Sequence, residues 1–189
     1  YILSFPIIHI LFERGAFLAE DTFYTSKVLS IFALGLPAYI LIKILVTCFF
    51  AREDTKTPLY VSIVSVIVNI VLSILLISSM REMGIALATA ISAWINAILL
   101  FLILYKDNNL FLESKLIHNS LKIVFATIIL VIGCYFLNEL IFINIADLST
   151  IIKIINLLLV IICSKIIYLG MIFMLKVISI QDLKGYIKQ

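Results

Sequence analysis

The chain has 189 residues, of which 64% are hydrophobic and 13% charged, and its formal net charge is +3. A soluble domain is about 45–50% apolar and about 25% charged, so a water-soluble fold of this length could not bury so much apolar surface; the excess must face lipid. The charge is small and no basic face carries interleaved aromatics, which argues against a nucleic-acid partner.

A helix crossing about 30 Å of hydrocarbon needs about 20 mostly apolar residues. The first apolar stretch, Tyr1 to Phe12, is shorter than that and is interrupted by Pro6. It reads as the tail of a further span, so the chain is expected to be a fragment of a longer protein. A polar connection follows, with Arg14 and Gly15 and then Glu20-Asp21-Thr22, where Asp21 or Thr22 is expected to cap the next helix.

The first full span is predicted over Ser26–Phe50. Gly35 and Pro37 form a candidate hinge, able to kink or locally open the helix. Lys43 lies inside the apolar run, too deep for easy snorkelling, and shares its face with Tyr39 and Thr47. Charge at that depth is costly and marks a pathway or a pair. The other reading is an ammonium that meets a backbone carbonyl or a headgroup.

The next connection holds Arg52, Asp54, Thr57 and Pro58, which together with Arg14 and Gly15 form a candidate gate motif. Thr57 is expected as N-cap and Pro58 as the first helical residue of a span over Pro58–Met80. In this span Ser62, Ser65, Asn69 and Ser73 fall within about 80° of one another, opposite Val, Ile and Leu. Such a stripe either walls a hydrated cavity or makes interhelical hydrogen bonds.

After the turn Arg81–Gly84, a third span is predicted over Gly84–Tyr105. Gly84, Ala88, Ser92 and Asn96 recur every four residues and read as a packing seam. Trp94 is an anchor or a core residue. The connection Lys106–Asn119 has room for a short interfacial helix with Leu110, Phe111, Leu112, Leu116 and Ile117. Spans are then predicted over Leu121–Ile143 and Ile151–Val177, before a polar, amphipathic tail, Ser179–Gln189. Lys165, near the middle of the last span, either lines a lipid groove or snorkels.

The fold class is therefore all-α: a polytopic membrane bundle of about five transmembrane helices plus a partial N-terminal one. Open sheet edges cannot face lipid and no alternating barrel pattern occurs. Connections must alternate sides. One set carries Arg52, Lys56, Lys106, Lys115, Lys122, Lys176, Lys184 and Lys188, and the other only Arg14, Lys27, Arg81 and Lys153. The richer set is expected in the cytoplasm, with the C-terminus.

Nothing points to an enzyme. His9 and His118 are isolated, no hydrolase, nucleotide-binding or metalloenzyme motif occurs, and Cys48, Cys134 and Cys163 lie singly. No catalytic residue, metal or cofactor is expected.

Several blocks, in order, resemble the lipid II flippase (MurJ/MviN) family of bacterial cell-wall synthesis. They are Pro6-Ile7-Ile8, Leu11–Phe17, Leu34–Ala38 followed by Lys43, Phe50-Ala51-Arg52, Asp54-Thr55, Thr57-Pro58, Asn69 and Gly84–Thr89. Beyond Lys106 only the hydrophobic pattern is similar. The resemblance implies the multidrug/oligosaccharidyl-lipid/polysaccharide exporter fold, with two six-helix lobes and two extra helices. Residues 1–105 would end the second lobe, 106–120 would be a cytoplasmic connection, and 121–189 the additional pair and tail. It also implies a partner, the N-terminal lobe of the same chain, and a cytoplasmic-membrane location.

The implied activity is movement of undecaprenyl-pyrophosphate-linked disaccharide-pentapeptide (lipid II) from the inner to the outer leaflet. Lys43 would hold the anionic head while the serine–asparagine row lines the route and membrane lipid keeps the tail. The alternatives are a related exporter of drugs or another lipid-linked glycan, and a non-transporting membrane scaffold subunit.

Overall fold

A computed structural model of the chain describes residues 1–106, 114–142, 149–175 and 177. Regular structure among them is helical: α1 (Ser4–Phe12), α2 (Ala19–Phe50), α3 (Lys56–Met80), α4 (Glu82–Lys106), α5 (Ser114–Phe142) and α6 (Thr150–Met174). All but α1 are long and apolar enough to cross a membrane. The predicted interfacial helix falls partly on residues 110–113, and the tail on residues 179–189; both stretches lie outside the described residues. Leu116 and Ile117 belong to α5, which starts before the predicted Leu121.

Several helix starts differ from expectation, for local reasons. In α1, Pro6 stands in the first turn, where its missing N–H has no intrahelical partner to lose, so it interrupts nothing. The second helix begins at Ala19 rather than Ser26. Its 32 residues rise about 48 Å, well beyond the hydrocarbon thickness, because helical hydrogen bonding begins in the polar stretch ahead of the apolar run. Neither Asp21 nor Thr22 is the N-cap residue. Leu18 occupies that place, and Asp21 reaches back so that its carboxylate accepts the Leu18 N–H at 2.9 Å.

The third helix likewise starts at Lys56, ahead of the expected Pro58. Asp54 Oδ1 accepts the N–H groups of both Lys56 and Thr57 at 3.1 Å, so Asp54 serves the capping role expected of Thr57. Pro58 sits in the first turn, again at a position with no hydrogen bond to lose. The α3–α4 turn is shorter than the expected Arg81–Gly84. Arg81 alone separates the two helices, with φ at +50°.

The chain divides into two compact units, one holding α1–α4 and the other α5–α6. In the first, α4 is the central element. It packs along α2 and along α3, which barely touch each other, while α1 packs on α2. Buried residues make up 44% of the most apolar stretch of α4, against 17% in α2 and 11% in α3. The small residues of α4 explain this position. Lipid tails are as apolar as the helices, so association depends on close backbone approach and interhelical polar bonds. Ala93 and Ala97 meet Ala38 of α2, and further along Leu100 and Leu104 pack with Leu45, Phe49 and Val61.

The row Gly84, Ala88, Ser92 and Asn96 is buried. Gly84 lies against α3, where an added Cβ would stand 2.6 Å from the Leu76 carbonyl oxygen. In the second unit Cys134 of α5 and Ser164 of α6 lie 2.9 Å apart, and the face of Gly133 touches Ile167. The three cysteines are free thiols.

Candidate polar cavity of the α2–α4 unit

Because α2 and α3 both pack on α4 without closing on each other, a recess is left between them. Its volume is about 150 Å³. Tyr39 comes from α2, Ser65 and Asn69 from α3, and Thr89, Ser92 and Asn96 from α4, with Ile42, Val66 and Ala93 as the apolar part.

The predicted polar row of α3 does turn inward. Ser65 is buried, and Ser62, Asn69 and Ser73 are half-buried, while Ile63, Val64, Val66, Ile67, Ile70 and Val71 are exposed. Its members do different things. Ser65 Oγ donates to the Ser92 carbonyl at 2.7 Å, a bond between α3 and α4. Ser73 Oγ donates to Asn69 Oδ1 at 3.2 Å, one turn along the same helix. Ser62 and Ser73 do not line the recess.

Of the α2 residues, Tyr39 lines the recess, but Lys43 and Thr47 do not. The buried face of α2 runs through Gly35, Ala38, Leu45 and Phe49. Residues 39, 43 and 47 sit progressively further round from it, by about 40° per four-residue step. Lys43 is exposed, one turn beyond Tyr39, and Thr47 Oγ1 donates to its carbonyl at 2.8 Å.

The candidate hinge is a continuous helix. Gly35 is a site of close approach, since a Cβ there would meet Ala90 Cα and Cβ at 3.4 Å. Pro37 has no N–H to give, which weakens the backbone ladder one turn earlier. There Trp94 Nε1 donates to the Leu34 carbonyl at 3.0 Å, so Trp94 ties α4 to α2. Trp94→Phe removes this single bond, and a loss of about 1 kcal/mol in thermal unfolding is expected.

The two halves of the candidate gate motif lie at opposite ends of α2. Arg14 and Gly15 precede it. Arg14 Nη2 donates to the Leu11 carbonyl at 2.7 Å, and Gly15 has φ of +61°. The start of α2 and the α3–α4 turn border a larger cavity of about 590 Å³, lined by Glu20, Asp21, Tyr24, Thr25, Arg81 and Glu82 among others, but not by Arg14 or Gly15. No run of consecutive residues signals it, because residues about 60 positions apart meet only once the helices pack.

At the other end, α2 closes with the Asp54 N–H on the Phe49 carbonyl at 3.1 Å and the Glu53 N–H on the Phe50 carbonyl at 3.0 Å. This is a Schellman arrangement, with Glu53 at φ +60° where glycine is usual. Asp54 therefore closes one helix through its N–H and opens the next through its carboxylate. The Thr57 hydroxyl and N–H, with Lys56, hold that carboxyl below its ordinary value of 3.8. A depressed folded value gives stability that is complete above the ordinary carboxylate range and lost as pH falls through the folded value. The difference in melting temperature between the wild type and Asp54→Asn is therefore expected to be constant at neutral pH and to shrink only in acid.

In the second unit Lys165 is exposed on α6, beside buried Ser164. Among the described residues no group of histidine, cysteine and acidic side chains is arranged to hold a metal.

Comparison with known proteins agrees with this architecture. The family model described as lipid II flippase MurJ matches residues 1–152, beyond the blocks that carried the resemblance and through α5. The chain is 44% identical over 130 residues to a probable lipid II flippase MurJ of Rhizobium tropici, covering 69% of this chain and 24% of that protein. It is 47% identical over 113 residues to one of Rickettsia prowazekii, covering 60% and 22%, respectively. For one of Haemophilus influenzae the identity is 39% over 100 residues, covering 53% and 19%. The chain spans about a quarter of the length of these curated relatives. With membrane-spanning helices packed around a polar recess and this family match over most of its length, the chain is a multi-pass membrane protein that belongs to the lipid II flippase MurJ family.

Proposed function

We propose that this chain forms part of a path moving a lipid-linked peptidoglycan precursor, lipid II, from the inner to the outer leaflet of the bacterial cytoplasmic membrane. It acts as a transporter rather than an enzyme. The carrying observation is the family match over residues 1–152, together with the convergence of polar side chains from α2, α3 and α4 on one recess.

The physical problem is the headgroup. A pyrophosphate with an attached sugar-peptide cannot cross hydrocarbon unaided, because burying unpaired charge costs many kcal/mol. A hydrated wall with fixed polar groups and a cation replaces the lost hydration. Lys43 supplies the cation for the anionic head. Tyr39, Ser65 and Asn69 line the route, with Ser62, Ser73 and Thr47 on the same helix flanks. The loop through Arg52, Asp54, Thr57 and Pro58 lies at the cytoplasmic gate, and Arg14 and Gly15 at the opposite one. Gly35 and Pro37 let α2 bend as the lobes rock, and Lys165 borders the groove for the lipid tail. The N-terminal lobe of the full-length protein supplies the facing wall, and the C-terminus is cytoplasmic.

Depletion of the full-length protein tests this. Lipid II is expected to accumulate in the inner leaflet, where a lipid II hydrolase added outside intact spheroplasts cannot reach it. Unchanged access of the hydrolase after depletion would refute the proposal.

A further inference from the structure

Asn96 was expected to do no more than pack. The structure buries it with the rest of the α4 seam and also turns it to the recess. It is 9% exposed, it lines the recess between α2 and α3, and its Oδ1 finds no hydrogen-bond donor among the described residues. The neighbouring serine and threonine hydroxyls are already engaged. The Ser65 hydroxyl donates to the Ser92 carbonyl, the Ser92 hydroxyl to the Thr89 carbonyl at 3.0 Å, and the Thr89 hydroxyl to the Ile85 carbonyl at 2.8 Å. The serine and threonine hydroxyls of the recess are thus spent on backbone carbonyls, and Asn96 Oδ1 is a buried acceptor to which none of them donates. A buried amide oxygen in that state costs about 1–3 kcal/mol unless something donates to it. A residue kept only for packing would be better as leucine at this depth.

The geometry points to Asn96 as a specificity-determining contact that accepts a hydrogen bond from an uncharged arm of the transported headgroup, a sugar hydroxyl or an amide N–H. This rests on the reading of the chain as part of a lipid II path. The recess lining carries no formal charge, so a neutral donor matches it. Its volume of about 150 Å³ admits a hydroxyl or an acetamido arm but not a whole disaccharide-peptide. Tyr39 at its edge stands one helical turn, about 6 Å, from Lys43. A headgroup whose pyrophosphate sits at Lys43 can thus direct a neutral arm into the recess.

The test is Asn96→Leu in the full-length protein, with lipid II translocation and thermal unfolding measured together, and Asn96→Ala as a second variant. The Leu variant is expected to be at least as stable as wild type, because an unpaired buried acceptor has gone. Its translocation rate is expected to fall by roughly three- to tenfold. Wild-type rates in both variants would overturn this inference while leaving the transport reading intact. Failure of both to accumulate as folded protein would assign Asn96 to helix packing and likewise overturn it. Absence of lipid II movement by the wild type would instead overturn the transport reading itself.

Discussion

Gly84→Ala is expected to separate α3 from α4 and to cause a large loss of stability. An alanine Cβ at this position would lie 2.6 Å from the Leu76 carbonyl oxygen, 2.7 Å from its carbonyl carbon and 2.9 Å from its Cβ. Two of these atoms are backbone, so no side-chain rotation relieves the clash and the helices themselves must part. The link between them is Arg81 alone, already at φ +50°, so it offers little slack. Overpacking usually costs about 1–3 kcal/mol. Here the cost should reach or exceed the top of that range, because parting the helices also weakens the Ser65–Ser92 bond further along. Alanine would regain up to about 1 kcal/mol of helix propensity, which is too little to compensate. Gly170→Ala is the control. It lies in α6 with nothing within 4 Å of its added Cβ, so only the propensity gain should remain, a small rise in melting temperature. Equal melting temperatures for Gly84→Ala and wild type in detergent would show that the helices are not this close.

Lys43→Met in the full-length protein is expected to leave membrane insertion intact or improved while abolishing support of growth. A lysine at the centre of a span costs about 2.5–3.5 kcal/mol on insertion scales, and methionine of similar length removes that penalty. A purely structural Lys43 would therefore be improved by the change. If the ammonium holds the pyrophosphate, the variant instead loses a charge-assisted bond of about 1.5–3 kcal/mol, roughly ten- to a hundredfold in translocation. Lys43→Arg retains the charge and should keep a measurable part of the rate. Normal growth on Lys43→Met as the sole copy would remove Lys43 from the mechanism.

The long helices were legible because lipid imposes a simple test of length and apolarity, and α2 to α6 satisfy it on composition. The seam of α4 was legible for a related reason: small residues every four positions on a membrane helix have few uses other than close approach, and Gly84 meets Leu76 backbone to backbone. Helix starts were less legible. Asp21 and Asp54 act by accepting hydrogen bonds from particular N–H groups, and several nearby residues offer equally plausible capping chemistry.

By itself, the sequence determined that the chain is a membrane helix bundle with polar faces at bilayer depth, because hydropathy and helical periodicity are properties of consecutive residues. Which polar residues meet was decided only by tertiary packing. Ser65 bonds α4 and Asn96 opens on a recess, while Lys43, no less polar, remains outside it. Those outcomes depend on α4 lying between α2 and α3, and hence on backbone distances set by glycine, alanine and serine on facing helices, which no single helix encodes.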